Sequence, residues 1–220
     1  GDLDGDGHTD VAAATHGQVT LWEEDGGALA SRPALTVAAN VVAIDDVTGD
    51  GRDDLVVLGW SSDTVSVYAQ TAGGTLAPPA TYTVDVGGYN DLEIGDVDGD
   101  GDLDVVAMSG QLYATPDLHV LLQQPDGTLS VRGSWSIAGG NISANGVGVG
   151  NVDQDATAEV VVSHGGNGAS AKVTVFQADA TGGLTEDTTI PALAIPTPAE
   201  RIDLSGAGPD DAAIGPAGSS

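Results

Sequence analysis

The sequence predicts an all-β chain, a β-propeller of four-stranded antiparallel blades of which about four are present, and three observations predict it. One acidic segment recurs without gaps: GDLDGDGHTDVAAA (1–14), DDVTGDGRDDLVVL (45–58), GDVDGDGDLDVVAM (95–108) and GNVDQDATAEVVVS (150–163), with a faded copy IDLSGAGPDDAAIG at 202–215. Asp2, Asp46, Asp96, Asn151 and Asp203 are then equivalent and stand 44, 50, 55 and 52 residues apart, the repeat length of a propeller blade. A second signature keeps a steady offset from the first. Alternating runs at 18–22, 64–69, 118–123 and 172–177 are each followed by Gly-Gly or Asp-Gly, the pattern of a hairpin. Helix is disfavoured, because the Gly and β-branched content leaves no 3.6-residue period.

Each period accommodates four strands, with repeats at 1–40, 41–90, 91–145, 146–198 and a partial 199–220. In the second repeat the strands are expected near 41–45, 54–59, 64–69 and 80–86, with the acidic segment joining the first two. Val41-Val42-Ala43-Ile44 and Leu55-Val56-Val57-Leu58 are continuously apolar, as strands buried on both faces should be.

Composition narrows the function. The chain carries 33 Asp+Glu against 5 Lys+Arg, a formal charge of −28, no Cys and 33 Gly in 220 residues. Without Cys there is neither a disulfide framework nor a thiolate site. Nucleic acid is not an expected partner, since so acidic a chain repels phosphate. Hydrophobic residues at 40% supply a core that a disordered acidic chain lacks. No apolar stretch approaches the ~18 residues of a membrane span.

The acidic segment reads Asp-x-Asp-Gly-Asp-Gly-x-x-Asp. Carboxylates at positions 1, 3, 5 and 9 repel one another unless a cation lies among them, and hard oxygen donors in that number suit Ca²⁺. Glycines at 4 and 6 let the backbone wrap tightly, with position 7 offering its carbonyl. The first loop supplies Asp2, Asp4, Asp6, His8 and Asp10; the second Asp46, Thr48, Asp50, Arg52 and Asp54; the third Asp96, Asp98, Asp100, Asp102 and Asp104. A fourth offers Asn151, Asp153, Asp155, Thr157 and Glu159, although Gln154 and Ala156 replace its glycines. Three Ca²⁺ are expected, with the fourth loop an additional candidate. In the fifth copy Ser205 and Ala207 remove the middle ligands, and no metal is expected. An EF-hand shares the opening Asp-x-Asp-x-Asp-Gly but needs a bidentate Glu at position 12, where Ala13, Val57 and Ala107 stand.

These loops, each followed by a short apolar strand, resemble the FG-GAP (VCBS-type) repeats of integrin α-subunit propellers and secreted bacterial propellers. The Phe-Gly and Gly-Ala-Pro elements are degenerate, represented by Gly-Thr-Leu-Ala-Pro-Pro at 74–79, which points to the bacterial type. The resemblance implies calcium in the loop between strands 1 and 2 of each blade. It also implies a seven-bladed whole, of which this chain would be a piece whose open strand edges need neighbours.

If calcium occupies one face, the turns between strands 2 and 3 and the blade-to-blade connections emerge on the other. That face carries His16, Trp60, Tyr89, Tyr113 and His164, with amides at Asn90 and 141–145, a set suited to a glycan or protein ligand. The expected function is a secreted or surface-exposed, calcium-stabilised interaction or adhesion module. The alternatives are a structural repeat of a surface assembly, with self-association or continuation into a larger chain, or a non-catalytic propeller attached to a secreted enzyme. Catalysis is not expected, since His8 and His119 fall in a loop and a strand, and the repeated carboxylates are committed to metal.

Overall fold

The computed structural model describes residues 1–15, 17–59, 63–84, 91–109, 117–137, 144–153, 155–164, 172–191, 196–202 and 211–216. Its strands form successive antiparallel meanders. Strands β1 (Val11–Thr15), β2 (Gln18–Asp25) and β3 (Ala28–Ser31) make a three-stranded sheet. Three four-stranded sheets follow: β4 (Ala39–Asp45) to β7 (Ala80–Thr83) through β5 (Asp54–Gly59) and β6 (Thr64–Tyr68); β8 (Asp91–Gly95) to β11 (Leu129–Ser136) through β9 (Asp104–Met108) and β10 (Asp117–Gln123); and β12 (Ala144–Gly150) to β15 (Leu184–Pro191) through β13 (Glu159–His164) and β14 (Lys172–Ala178). A hairpin of β16 (Pro196–Ile202) and β17 (Asp211–Pro216) closes the series. The fold is thus the all-β blade array expected, and the second blade's strands start at or within two residues of their predicted positions.

The core lies between blades rather than within them, and this explains the continuous apolar runs. Because successive side chains of a strand point to opposite faces, a strand sandwiched between two neighbouring blades must be apolar at every position. Leu55 and Val57 of β5 pack toward the first blade with Leu3, Val19 and Leu21. The intervening Val56 and Leu58 pack toward the third blade with Val105, Ala107 and Leu121. Strand β9 repeats the device: Val106 and Met108 join Val147, Val160 and Val162 of the fourth blade. Strands β5, β9 and β13 are buried throughout. Strand β1 holds the corresponding place in the first sheet, where no strand pairs with its outer side among the described residues, and it is only half-buried. Strand β4 also departs from expectation. Val41, Val42, Ala43 and Ile44 are half-buried rather than buried, because β4 packs against β1, itself a partly exposed strand.

Polar clasps repeat at the outer ends of these joints. Arg32, paired with Glu23 at 2.6 Å, reaches from the first blade to the Gly74 carbonyl at 3.2 Å in the second. The Leu129 N–H of the third blade donates to Tyr82 Oη of the second at 3.0 Å. Arg132 of the third donates through Nε to the Thr181 carbonyl of the fourth at 2.6 Å. Arg132 is the extra residue of a bulge, since Val120 faces Gly133 while Leu121 faces Val131. A bulge re-aims a side chain, here toward the neighbouring blade.

Candidate metal centres

The second, third and fourth acidic loops connect strands 1 and 2 of their blades and the first leads into β1, which holds the strand 2 place; their hydrogen bonds assign a distinct task to each carboxylate. Position 1 folds the turn: Asp2 accepts from the N–H groups of Gly5 at 2.6 Å and Gly7 at 2.9 Å, and Asp96 from those of Gly99 at 2.8 Å and Gly101 at 3.0 Å. Gly5, Gly7, Gly99 and Gly101 all have φ between 78° and 96°, a conformation that side chains resist. Position 5 accepts from the N–H of position 7 in all four loops: Asp6 from His8, Asp50 from Arg52, Asp100 from Asp102 and Asp155 from Thr157.

Position 9 is buried and ties the loop to the blade. Asp54 accepts from Thr48 N–H at 3.0 Å and, with its other oxygen, from Gln70 N–H at 2.9 Å. Asp104 does the same with Val97 at 3.0 Å and Gln123 at 2.9 Å, and Asp10 with Leu3 at 2.8 Å and Glu24 at 3.0 Å. Glu159 accepts from Val152 at 2.6 Å. Position 2 is an apolar plug that sequence reading passed over. Leu3, Val47 and Val97 are each at most 1% exposed and drive their loop into the joint beneath it, whereas Val152 of the fourth loop is 41% exposed.

Three carboxylate clusters result in which the oxygens lie within 4.8 Å of one another: Asp2, Asp4 and Asp6; Asp96, Asp98 and Asp104; and Asp153, Asp155 and Glu159. The second loop, expected to be a site, brings no such trio together among the described residues. Thr48 replaces its position 3 carboxylate. The Arg52 guanidinium, expected to contribute only a carbonyl, pairs with Asp50 and donates through Nε to the Gln70 carbonyl at 3.1 Å. The fourth loop does assemble a trio despite its missing glycines, with Asn151 Nδ2 bonded to the Asp155 carbonyl at 2.8 Å. In the first loop Asp10 stays outside the trio, and in the third Asp100 does. Asp102 and Thr157 lie beside their position 5 carboxylates, and His8 lies 3.2 Å from both Asp6 and Glu24.

Electrostatics shows what the clusters lack. Burial pushes Asp104 up to about 7 and raises Asp54, Asp98 and Glu159 above the usual carboxylate range, with the neighbouring charge of Asp100 adding to the effect at Asp98. At Asp2 burial also pushes upward, but the Gly7 and Gly5 N–H groups outweigh it and hold the carboxyl low. Buried oxygens of Asp98 (Oδ1), Asn151 (Oδ1), Glu159 (Oε1) and Thr48 (Oγ1) have no partner in good hydrogen-bond geometry. A buried acceptor without a partner costs roughly 1–3 kcal/mol. Asp98 in the third loop and Asn151 and Glu159 in the fourth thus offer oxygen donors of the kind a hard cation takes.

The expected ligand face is less visible. His16, Trp60, Tyr89 and Tyr113 lie outside the described residues, as do Asn90, residues 141–143 and the fifth copy's Ser205 and Ala207. His164 differs from a surface contact. Its side chain is fully buried at the end of β13, with Nε2 2.7 Å from Thr174 Oγ1, and burial lowers its pKa. The position faces into the sheet because β13 is covered on both sides, so a polar residue there finds its partner on the adjacent strand β14. His119 is likewise buried, in β10.

Residues 46–107 match the FG-GAP-like repeat family. No curated protein matches the chain significantly. Among solved structures, a protein from Lactobacillus plantarum is similar, with a TM-score of 0.57 and 19% identity over 80% of this chain and 52% of the other. Rhamnogalacturonan lyase from Bacillus licheniformis has a TM-score of 0.55 and 14% identity over 89% and 47%, respectively. The exotype rhamnogalacturonan lyase YesX has a TM-score of 0.54 and 13% identity over 90% and 46%. The chain spans about half the length of these structures, and at such identities the likeness is one of fold.

Proposed function

From the FG-GAP-like repeat in residues 46–107, we propose that the chain is a calcium-stabilised, extracellular propeller module that binds a glycan or protein and has no catalytic role of its own. The observation that carries the calcium reading is the convergence of three carboxylate trios, two of which, in the third and fourth loops, include a buried oxygen that has no partner. The first site would use Asp2, Asp4 and Asp6, the third Asp96, Asp98 and Asp104, and the fourth Asp153, Asp155 and Glu159. Bound calcium would supply the positive charge that lets the clustered carboxylates, the buried Asp104 and Glu159 among them, stay ionised together. Extracellular calcium modules bind at ~10⁻⁴ to 10⁻³ M, which favours a secreted or cell-surface setting.

The binding role is assigned to the face opposite the loops, and Trp60 and Tyr113, which the sequence offers for it and which lie outside the described residues, are the residues to substitute. The likeness to two rhamnogalacturonan lyases supports a polysaccharide-facing role, and a place within a larger secreted enzyme is the second reading. Calorimetric titration of the metal-free chain with calcium tests the first claim, with about three ions per chain expected. A chain that takes up no calcium and melts identically with and without chelator would refute it. Glycan-array binding lost in Trp60→Ala and Tyr113→Ala supports the ligand face. Turnover of a polysaccharide by the chain alone would overturn the non-catalytic assignment.

A further inference from the structure

The loops are joined to one another by a residue that belongs to none of them. Gln70 follows β6, the third strand of the second blade, and is 2% exposed. Its N–H donates to Asp54, the closing carboxylate of its own loop, at 2.9 Å, and its carbonyl accepts from Arg52 Nε at 3.1 Å. Its side-chain Nε2 crosses the joint and donates to the main-chain carbonyl of Asp2, in the first loop, at 2.6 Å. The Asp2 N–H in turn donates to Asp53 Oδ2 of the second loop at 2.7 Å. Asp2, a member of the first trio, is therefore held at both its backbone groups by the second blade.

At the next joint Gln123, at the end of β10, takes the same place and meets the neighbouring loop by close contact. Its N–H donates to Asp104 at 2.9 Å and its Oε1 accepts from Leu103 N–H at 2.9 Å, which fixes the third loop. Its amide nitrogen packs against Gly49 of the second loop, so closely that a Cβ there would collide with it. In the fourth blade Ala178 stands at this place, since Asp179 opens the same turn as Thr71 and Gln124; the preceding Gln177 bonds through its amide only within its own loop, to Asp155 at 3.1 Å and Thr157 at 3.4 Å.

We propose that Gln70 and Gln123 are coupling residues that make cation binding at the first and third loops cooperative, with the second loop as the connecting strut. This rests on reading the trios as calcium sites. The physical basis is shared ordering. Clustered carboxylates repel, so an empty loop must be drawn into its binding geometry, and the first cation bears that cost. Since one glutamine holds parts of two loops, ordering one loop pre-organises the next. Arg52 suits the strut role, because its guanidinium is already seated on Asp50 and the Gln70 carbonyl.

Titration of the metal-free chain with calcium alone tests this. Wild type is expected to bind sigmoidally. Gln70→Ala/Gln123→Ala should bind the same number of ions hyperbolically, and Gln177→Ala should lose affinity at one site while keeping the sigmoid. Should the double variant fail to fold, Asp98→Asn provides the second measurement. Weakening the third loop should reduce affinity at the first by fivefold or more, the lower range of allosteric couplings. Hyperbolic wild-type binding would overturn the coupling and leave the calcium sites standing. So would an unchanged first site in Asp98→Asn, or a sigmoid lost equally in Gln177→Ala. Absence of any calcium uptake would instead remove the reading on which the proposal rests.

Discussion

At the scale of the residue, carboxylates at alternate positions of one motif have different work. Asp104 is a structural tie as well as a member of a trio, because its two oxygens take the N–H groups of Val97 and Gln123. Asp98 offers a buried oxygen with no partner. Asp104→Ala strands two buried donors, each costing roughly 1–3 kcal/mol, and should lower stability by about 2–6 kcal/mol even in chelator. Asp98→Asn should leave the chelated protein's denaturation midpoint nearly unchanged and abolish its stabilisation by calcium at that loop. Urea denaturation of both variants, with and without calcium, separates the two roles, and equal losses in chelator would contradict the division.

At the scale of the element, glycines divide in the same way. Gly7 has φ of 87° with open space around it, whereas Gly74, with φ of 70° in the hairpin turn of the second blade, lies against the Asp4 carbonyl of the first loop. Alanine at position 7 should cost only the left-handed backbone penalty of roughly 1–2 kcal/mol. Alanine at position 74 adds a collision with backbone across the joint, and should destabilise clearly more. Thermal melts of the two variants decide it, and a Gly74→Ala protein as stable as Gly7→Ala would mean that the joint yields. The joints and loops also take up three of the chain's 5 Lys+Arg. Arg32 and Arg132 are both spent on the next blade and Arg52 within a loop, so in a protein of charge −28 positive groups are used as fasteners.

At the scale of the whole molecule, pH and calcium act on the same groups. Burial raises Asp54, Asp91, Asp98 and Glu159 and takes Asp104 to about 7, while an unfolded Asp titrates near ~3.9. Between these values the native state holds more protons than the unfolded one. The stability this confers is complete below about pH 4 and is lost as pH rises through about 7. Asp126 and Asp179, held low by Thr128 and Thr181, and Asp2 and Asp6, held low by loop N–H groups, act the other way, but only as pH falls below the ordinary carboxylate range. Nearer neutrality two histidines oppose each other: burial lowers His164, which favours higher pH, and Asp6 raises His8, which favours lower pH with the buried carboxylates. The metal-free chain should therefore melt at a higher temperature at pH 5 than at pH 8. Millimolar calcium should recover most of the loss, because it binds the deprotonated form. A melting temperature that climbs with pH in chelator would contradict this account.

The sequence by itself determined the blade count, the strand order and the positions of the acidic loops, because each follows from local spacing: a repeat near fifty residues, apolar runs, and glycines where the backbone must turn left-handed. It also carried the coupling glutamines in plain view, as Gln70 and Gln123, but gave no reason to single them out. Only the tertiary structure decided which carboxylates converge. It gathered the fourth loop's trio, seated Arg52 in the second loop, buried His164, and turned Asp10, Asp54 and Asp104 into ties between loop and strand. The physical reason is that a motif fixes what a loop offers, whereas the neighbouring blade fixes which backbone donors, plugs and guanidinium groups reach it, and those come from residues up to about fifty to seventy positions away in a blade array.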